Sequence, residues 1–423
     1  MPKVVIIGGG WSGCAAALSA RKAGAEVAVI ERTDMLLGSG LVGGIFRNNG
    51  RFTAAEEMIA LGGGELFEIM DSLARHVNME FPGHKHASLY DAAKIEPAVS
   101  RLLEKRGVVV HIKTRINAIK KDGNSIISVT SEEGEAFDGD VFMDCTGTAA
   151  NTGNCVRYGN GCAMCVYRCP TFKTRVSISE KAGTKDIVGM RSDGTPGVFS
   201  GSCKIMKHTL SSDIVEELER TGVSVVPLPK DLVDEGKLSK KACVQYALPA
   251  YAENIILLDT GFAKLMTPFF PLELLRQVPG FEDARYEDPY SGGIGNSIRY
   301  MAMAPRDDTM KVLGTDNLFC AGEKSGLFVG HTEVIASGYL AGYNSVRSAS
   351  GEEGLIIPGT IAVGDLISFA NKQMKTEDGL KARYTFSGGP YFKRMKELGL
   401  YTTDIDKIRD RIEKAGLTKI FSK

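Results

Sequence analysis

Three groups of residues in this chain have types and spacing that could do chemistry. The first is Gly8-Gly9-Gly10-Trp11-Ser12-Gly13, set after the apolar run Val4 to Ile7 and followed eighteen residues past Gly13 by Glu31. In that pattern Gly8 permits a tight turn out of a strand, Gly10 lets backbone approach a pyrophosphate, and Gly13 lets a helix pack closely on the sheet. The helix N-terminus aims its amides and dipole at the phosphates, and Glu31 stands where ribose hydroxyls can donate to a carboxylate. The second group is Cys162-x2-Cys165-x3-Cys169-Pro170, which reproduces the end of a ferredoxin-type ligand run with Gly159 in place of its first cysteine. The third is His331, at the predicted start of a late helix, where a polar group or a helix dipole can stabilise charge on a reduced cofactor ring.

The cofactor implied is FAD rather than NAD. Glu31-Arg32 is followed closely by a second glycine-rich stretch, Gly38 to Gly44, where a plain NAD fold continues into a helix. Arg32, Gly43 and Gly44 therefore join the candidate cofactor contacts. A meander follows, through Arg115 to Ile119 and Ser125 to Thr130 with a turn at Asp122-Gly123-Asn124, and it contributes Ile116. Val141 to Asp144 then reads as a buried strand ending in the small turn Thr146-Gly147, and Asn317 to Cys320 as another ending at Gly322-Glu323. Gly330 and Thr332 open the helix that runs to Val346. NAD(P)H is a candidate reductant for such a flavin.

The elements needed to position these groups define an α/β chain: a two-dinucleotide-binding-type FAD (Rossmann-like) fold with an inserted α+β substrate domain and a small helical C-terminal region. The expected division is 1–150 with 312–350 for FAD, 151–311 for the insert, and 351–423 for the tail. Helices are predicted over Ser12 to Ala23 and Ile214 to Arg220. Strands are predicted at Glu26 to Ile30, Val108 to Ile112, Arg175 to Ser179, Ser224 to Val226 and Asn254 to Asp259. Phe67, Met70, Leu73 and Val77 recur at helical spacing, as do Ile95, Val99 and Leu102-Leu103, and Gly62 to Gly64 marks a break before them. Thr403 with Asp406 resembles a capping box, ahead of an apolar face of Ile405, Ile408 and Ile412. Gly83-His84-Lys85-His86, without nearby acidic or thiol partners, reads as a surface loop rather than a metal site.

With 423 residues the chain is long enough for two or three domains, and 43% hydrophobic with 24% charged residues is a globular composition. No apolar run approaches a membrane span and the amino terminus reads as a strand, so a cytoplasmic protein without membrane contact is expected. Nine cysteines in such a compartment argue for thiol or metal chemistry over a disulfide framework. Cys162, Cys165 and Cys169 are open to three readings: iron-sulfur ligands with a fourth from Cys155, Cys203 or Cys243, redox thiols coupled to the flavin, or inert or zinc-binding residues. Basic and acidic side chains balance at 51 each, so no global field draws in a polyanion. Residues 372–423 carry thirteen basic and seven acidic side chains, a local excess that reads first as a solvated helical surface.

The run Phe319 to Gly326, continued by Gly330-His331-Thr332-Glu333 and Ala336-Ser337-Gly338 down to Arg347, is similar to the C-terminal FAD segment of the tRNA-uridine-modifying flavoproteins. Pro279 to Tyr286, and Gly364 to Ile367 with Phe386 to Tyr391, resemble the folate-dependent tRNA uridine methyltransferases. Gly43-Gly44 with Ala60 to Gly63 resembles the tRNA carboxymethylaminomethyl-uridine enzymes, and Arg168-Cys169-Pro170 resembles their Tyr-Cys-Pro element. The resemblance implies the fold, FAD, and Cys169 as a functional thiol near the flavin. Gly38 stands where that family has a cysteine, so one thiol of its pair is missing. The sequence therefore points first to an FAD-dependent oxidoreductase, with Cys162, Cys165, Cys169 and His331 as its catalytic candidates. Its partner would be a small-molecule substrate or a redox protein, and the chain is expected to be a homo-oligomer. An RNA uridine modifier, with the basic tail as its surface, and an electron-transfer subunit of a larger complex are the rivals, and nucleic acid is not the favoured partner.

Overall fold

The computed structural model describes residues 1–147, 171–199, 203–240, 244–266, 270–287 and 298–422. Its centre is a parallel sheet of β1 (Lys3–Ile7), β2 (Glu26–Ile30), β3 (Val109–His111), β4 (Val141–Asp144) and β5 (Leu318–Cys320). The strand order is β5-β4-β1-β2-β3, so the direction of winding reverses between β1 and β4. In an open parallel sheet that reversal opens a crevice beyond the carboxyl ends of the two strands, and ligands bind there. The crevice lies where Gly8 leaves β1 and Thr146-Gly147 leaves β4.

Two helices meet against one face of this sheet, α1 (Trp11–Lys22) and α2 (His331–Ala349). Their contact is made of small residues: a side chain at Gly338 would strike the Ser12 carbonyl, and one at Gly342 the Ala16 carbonyl. The backbones are close enough for the Ser19 hydroxyl to donate to the Tyr339 carbonyl at 2.7 Å. That approach brings the N-termini of a helix near the start of the chain and of one 320 residues later to the same crevice. One face of the parallel sheet and this helix pair share one large apolar cluster that also takes in Phe67, Met70, Ile95, Val99 and Leu103.

Outside the parallel sheet, Ile116–Asp122, Ser125–Ser131 and Ala136–Asp138 form the expected antiparallel meander. A second antiparallel sheet joins Cys203–Ile205, Ala263–Leu265, Asn254–Asp259 and Val223–Pro227, covered by the helix Ser212–Thr221. A third joins Ile45–Phe46, His84–Tyr90 and Ala74–Phe81, and it packs on the second through Ile45, Phe81, Leu89, Ile256 and Leu258. The helices Ala362–Gln373, Gly389–Glu397 and Ile405–Lys414 lie against the helix Gly50–Ala60. There Glu57, wholly buried, accepts from the Ala362 and Val363 amides at 3.0 Å each and pairs with Arg411. It thereby caps a helix from another part of the chain.

Four local expectations fail, each for a physical reason. Val77 is not on a helix: the helix Glu65–Ser72 stops and Ala74–Phe81 pairs as a strand, leaving Val77 exposed while Met79 and Phe81 turn inward. Arg175 to Ser179 is no strand, because the Ser177 hydroxyl accepts from the Glu180 amide and starts the helix Ile178–Lys181. The last helix is capped by Asp404, which accepts from the Lys407 amide, rather than by Thr403, and Ile405 sits outside the buried stripe of Ile408 and Ile412. Finally, His84 is not on a surface loop. It opens a strand, is buried, takes the Asn48 side-chain amide at 2.9 Å on Nδ1, and stacks on Phe81.

Candidate functional site

At the end of β1 the backbone of Gly8 turns through φ +106°, and any Cβ there would meet the Cys145 carbonyl of the neighbouring strand. A Cβ at Gly13 would collide with the Gly8 carbonyl, so both glycines are required by the approach of main chain to main chain. Gly10 differs: a side chain there would enter open space. That opening, beside the amides that begin α1, is where a pyrophosphate fits. The fingerprint thus divides into two glycines that build the turn and one that leaves room.

Glu31 does more than wait for a ribose. Its Oε2 accepts from the Gly9 amide at 2.8 Å, and its Oε1 accepts from the amide and hydroxyl of Thr33, both at 2.9 Å. The carboxylate therefore holds the glycine turn and the end of β2 in register. Arg32 reaches away and donates to the Lys173 carbonyl at 2.5 Å. Ile116, another candidate contact, is core: its side chain is buried with Ile30 and Val129.

On the other side of the crevice Thr146 is tied down by its own strand end. Its amide and hydroxyl donate to Asp144 Oδ1 at 3.2 and 2.6 Å, while Oδ2 of the same residue accepts from the Ser179 amide and hydroxyl. Lys324, fully buried one residue past Gly322-Glu323, donates to Asp186 at 2.5 Å and to the Ser177 hydroxyl at 2.7 Å, with Asp144 at 3.9 Å. These buried charges link the turns after β4 and β5, and the Gly322 amide is held by the Ser337 hydroxyl of α2 at 2.9 Å. Breaking such a buried pair by removing one partner is costly, typically ~3–5 kcal/mol.

His331 stands at the first position of α2, partly accessible, its ring 5.2 Å from that of Trp11 and its Nδ1 3.3 Å from the Tyr90 hydroxyl. Burial, with the charges of Arg51 and Lys264 close by, pushes its pKa down to about 3, so the imidazole is neutral. The next residue, Thr332, is wholly buried, and its hydroxyl has no hydrogen-bond partner among the described residues. Glu333 then receives Arg51 at 3.0 Å together with the Thr385 hydroxyl and the Phe386 amide, which fixes the start of α2 against the C-terminal region.

Gly8, Gly10, Arg32, Gly43, Thr146, Gly147, Glu323, Gly330 and His331 are all half-buried, while Gly44, Gly322 and Thr332 are closed behind them. The structure brings the glycine turn, the second glycine loop, the β4 and β5 turns and the start of α2 around one crevice. The donor set fits a dinucleotide: two helix N-termini for phosphates, a carboxylate for ribose, and a neutral imidazole at the far end. Trp11, Tyr90, Arg51, Lys264, Asp144 and Lys324 were missed as site residues. Only Trp11, Asp144 and Lys324, inside or beside a motif, had a local signal.

The cysteines separate. Cys14, Cys145 and Cys320 are buried in the sheet and α1, and burial raises all three thiols, Cys320 to about 12, which leaves them unreactive. Cys162, Cys165 and Cys169, with Cys155 and Cys243, lie outside the described residues. Among the described residues no group of three or more His, Cys, Asp or Glu is placed to hold a metal ion, and no helix is long and apolar enough to cross a membrane.

Comparison with known proteins matches this geometry. Residues 3–153 match the family described as FAD dependent oxidoreductase, and residues 252–353 match the family described as glucose inhibited division protein A. The tRNA uridine 5-carboxymethylaminomethyl modification enzyme of Chlorobaculum tepidum is 23% identical, aligned with 88% of this chain and 68% of its own length. The chain is similar to the tRNA-uridine-modifying flavoproteins. A second such relative, the methylenetetrahydrofolate–tRNA-(uracil-5-)-methyltransferase of Bacillus cytotoxicus, is 33% identical over 100 residues, 23% of this chain and 22% of that protein. GidA of Aquifex aeolicus shares the fold, with a TM-score of 0.65 at 15% identity over 98% of this chain and 76% of that one. The two matched stretches carry the two halves of the flavoprotein crevice: Gly8 to Gly147 in the first, Lys264 and Gly322 to Thr332 in the second.

Proposed function

We propose that this chain is an FAD-dependent enzyme that modifies a uridine base in RNA. The observation that carries the cofactor part is the crevice at the winding reversal between β1 and β4, with its open space at Gly10 and two helix N-termini facing it. The substrate part is supported by the relatives, two of which are named for tRNA uridine chemistry, and by an alignment that runs through 88% of this chain with the first of them. Bound FAD supplies hydride and electron chemistry. Around it Glu31 would accept the ribose hydroxyls, the α1 amides would face the pyrophosphate, and His331 would present a neutral imidazole. Cys169, with Cys162 and Cys165, is the proposed thiol set, and NAD(P)H the proposed reductant.

A second reading, a flavin oxidoreductase working on a small molecule or a redox partner, is favoured by the state of the basic tail. Among its described residues Lys381, Lys393, Lys407, Arg409 and Lys414 lie within 4.0 Å of carboxylates of the tail itself, and Arg394 and Arg411 pair with Asp365 and Glu57 outside it, which brings the local excess of six down to four. Titration of FAD-loaded protein with unmodified tRNA across a salt series separates the two. A saturable complex at physiological salt, with affinity falling linearly against log salt, supports the RNA reading. Its absence in protein that retains FAD leaves the small-molecule reading, and protein that cannot be loaded with FAD ends both.

A further inference from the structure

The second glycine loop is gripped from outside the dinucleotide fold. Lys264, buried on the strand Ala263–Leu265 of the four-stranded sheet, donates to the Val42 carbonyl and, at 2.7 Å, to the Gly43 carbonyl. Four residues earlier in the same hairpin, Thr260 packs on Gly44, where φ is +114° and a side chain would overlap its Cγ2. The opposite wall is aromatic: a side chain at Gly43 would strike the His331 ring and the Tyr90 hydroxyl. Tyr90 is itself bound to the loop, its amide donating to the Gly44 carbonyl at 3.0 Å. Gly43 and Gly44 are thus glycines because the loop runs between two surfaces with no room for a Cβ. One of those surfaces carries the histidine at the start of α2, and the other carries a buried ammonium.

We propose that Lys264 is a positioning residue for the cofactor, which it serves by clamping the Val42–Gly43 peptide against His331 and so fixing the loop that lines the crevice. This rests on the FAD reading of that crevice. Two carbonyls converging on one buried ammonium is a charge-assisted arrangement, stronger than neutral hydrogen bonds. Loss of the ammonium takes a donor from both carbonyls and frees a loop whose backbone is rich in glycine. Because Lys264 lies on the antiparallel sheet and Thr260 in its hairpin turn, any shift of that sheet moves the loop, which links the rest of the molecule to the flavin end of the crevice.

The test is amide hydrogen exchange and FAD affinity in Lys264→Met, which keeps the apolar stem and removes the donors. The clamp predicts faster exchange confined to residues 38–44, unchanged protection in β1 and β4, and an FAD dissociation constant raised about tenfold or more. Gly43→Ala, which forces the loop off His331 from the other side, should reproduce the local exchange and serves if the Met variant does not fold. Wild-type exchange at 38–44 together with wild-type FAD affinity would overturn the proposal. So would loosening spread evenly over the parallel sheet, which is the mark of a purely structural lysine. Wild-type protein that holds no FAD would sink the cofactor reading instead, while the exchange comparison on the unloaded proteins still decides whether Lys264 clamps the loop.

Discussion

Glycine crowds the crevice at the end of β1, and lysine and arginine crowd residues 372–423, yet the two enrichments are put to different use. In the crevice the unusual composition is consumed by geometry: Gly8 and Gly13 are pressed against carbonyls, and Gly10 faces open space. In the tail some of the basic side chains turn back on the protein. Arg394 clasps Asp365 through two bonds of 2.9 and 2.7 Å, Arg411 reaches buried Glu57, and Lys407 and Lys414 pair along their own helix. A glycine has few ways to matter, and its spacing carries the reason. A surface cation has many acceptors within reach, and only the folded arrangement says which it meets.

That contrast is most easily broken at Gly13. Valine there must displace the Gly8 carbonyl or the whole of α1, so FAD affinity should fall by at least about 100-fold, an overpacking cost of ~3 kcal/mol. Calorimetric titration of the unloaded protein measures it, and retained affinity would show that the turn is not the phosphate site. Glu31→Ala comes next. Because this carboxylate holds the Gly9 amide as well as facing the ribose position, the loss should be about 10-fold to 100-fold, within the ~1.5–3 kcal/mol of a bond to a charged group. Glu31→Gln, which keeps an acceptor but no charge, should fall between.

Acid separates the regions more gently. Burial, with the Arg51 charge nearby, pushes His84 down to about 3, far below its unfolded value near 6.5. The unfolded state therefore binds the proton first. The stability due to keeping this ring neutral is full above about pH 6.5 and is lost as pH falls toward 3, at up to about 1.4 kcal/mol per pH unit. In urea unfolding at pH 7 and pH 5, His84 alone should account for a loss of about 2 kcal/mol that His84→Gln removes, and His331 adds to the loss in the same direction. The smallest effect belongs to the tail itself. Lys393→Ala and Lys396→Ala should change stability by no more than about 0.5 kcal/mol, whereas Arg394→Ala, which loses Asp365 and its packing over Phe369, should cost about 1 kcal/mol. If the first two instead flatten the salt dependence of a tRNA complex, the tail is a nucleic-acid surface after all.

How far the sequence could be read follows the same division. The five parallel strands, α1, α2 and the meander were legible because an apolar run, a glycine turn and a helical period are local signals. Val77 was misread because Leu73 and Val77 continue a helical spacing that the pairing of Ala74–Phe81 with His84–Tyr90 overrides. Arg175 to Ser179 was misread as a strand because its pattern does not reveal that the Ser177 hydroxyl starts a helix, and Asp404 was missed because its neighbour Thr403 also fits the cap pattern. Lys264 and Tyr90 had no signal at all, since nothing near either residue in the sequence says that it faces Gly43.

By itself the sequence determined the parallel nucleotide fold, the turn glycines and the carboxylate at the end of β2, because each depends on residues a few positions apart. Only the tertiary structure decided that Lys324 lies beneath both far turns, that Arg51 and Glu333 lock the start of α2, and that Lys264 reaches the loop of Val42 and Gly43. Those contacts join residues more than 130 positions apart. A buried charge can pair only with what the packing brings to it, so its partner is a property of the fold and not of the neighbouring sequence.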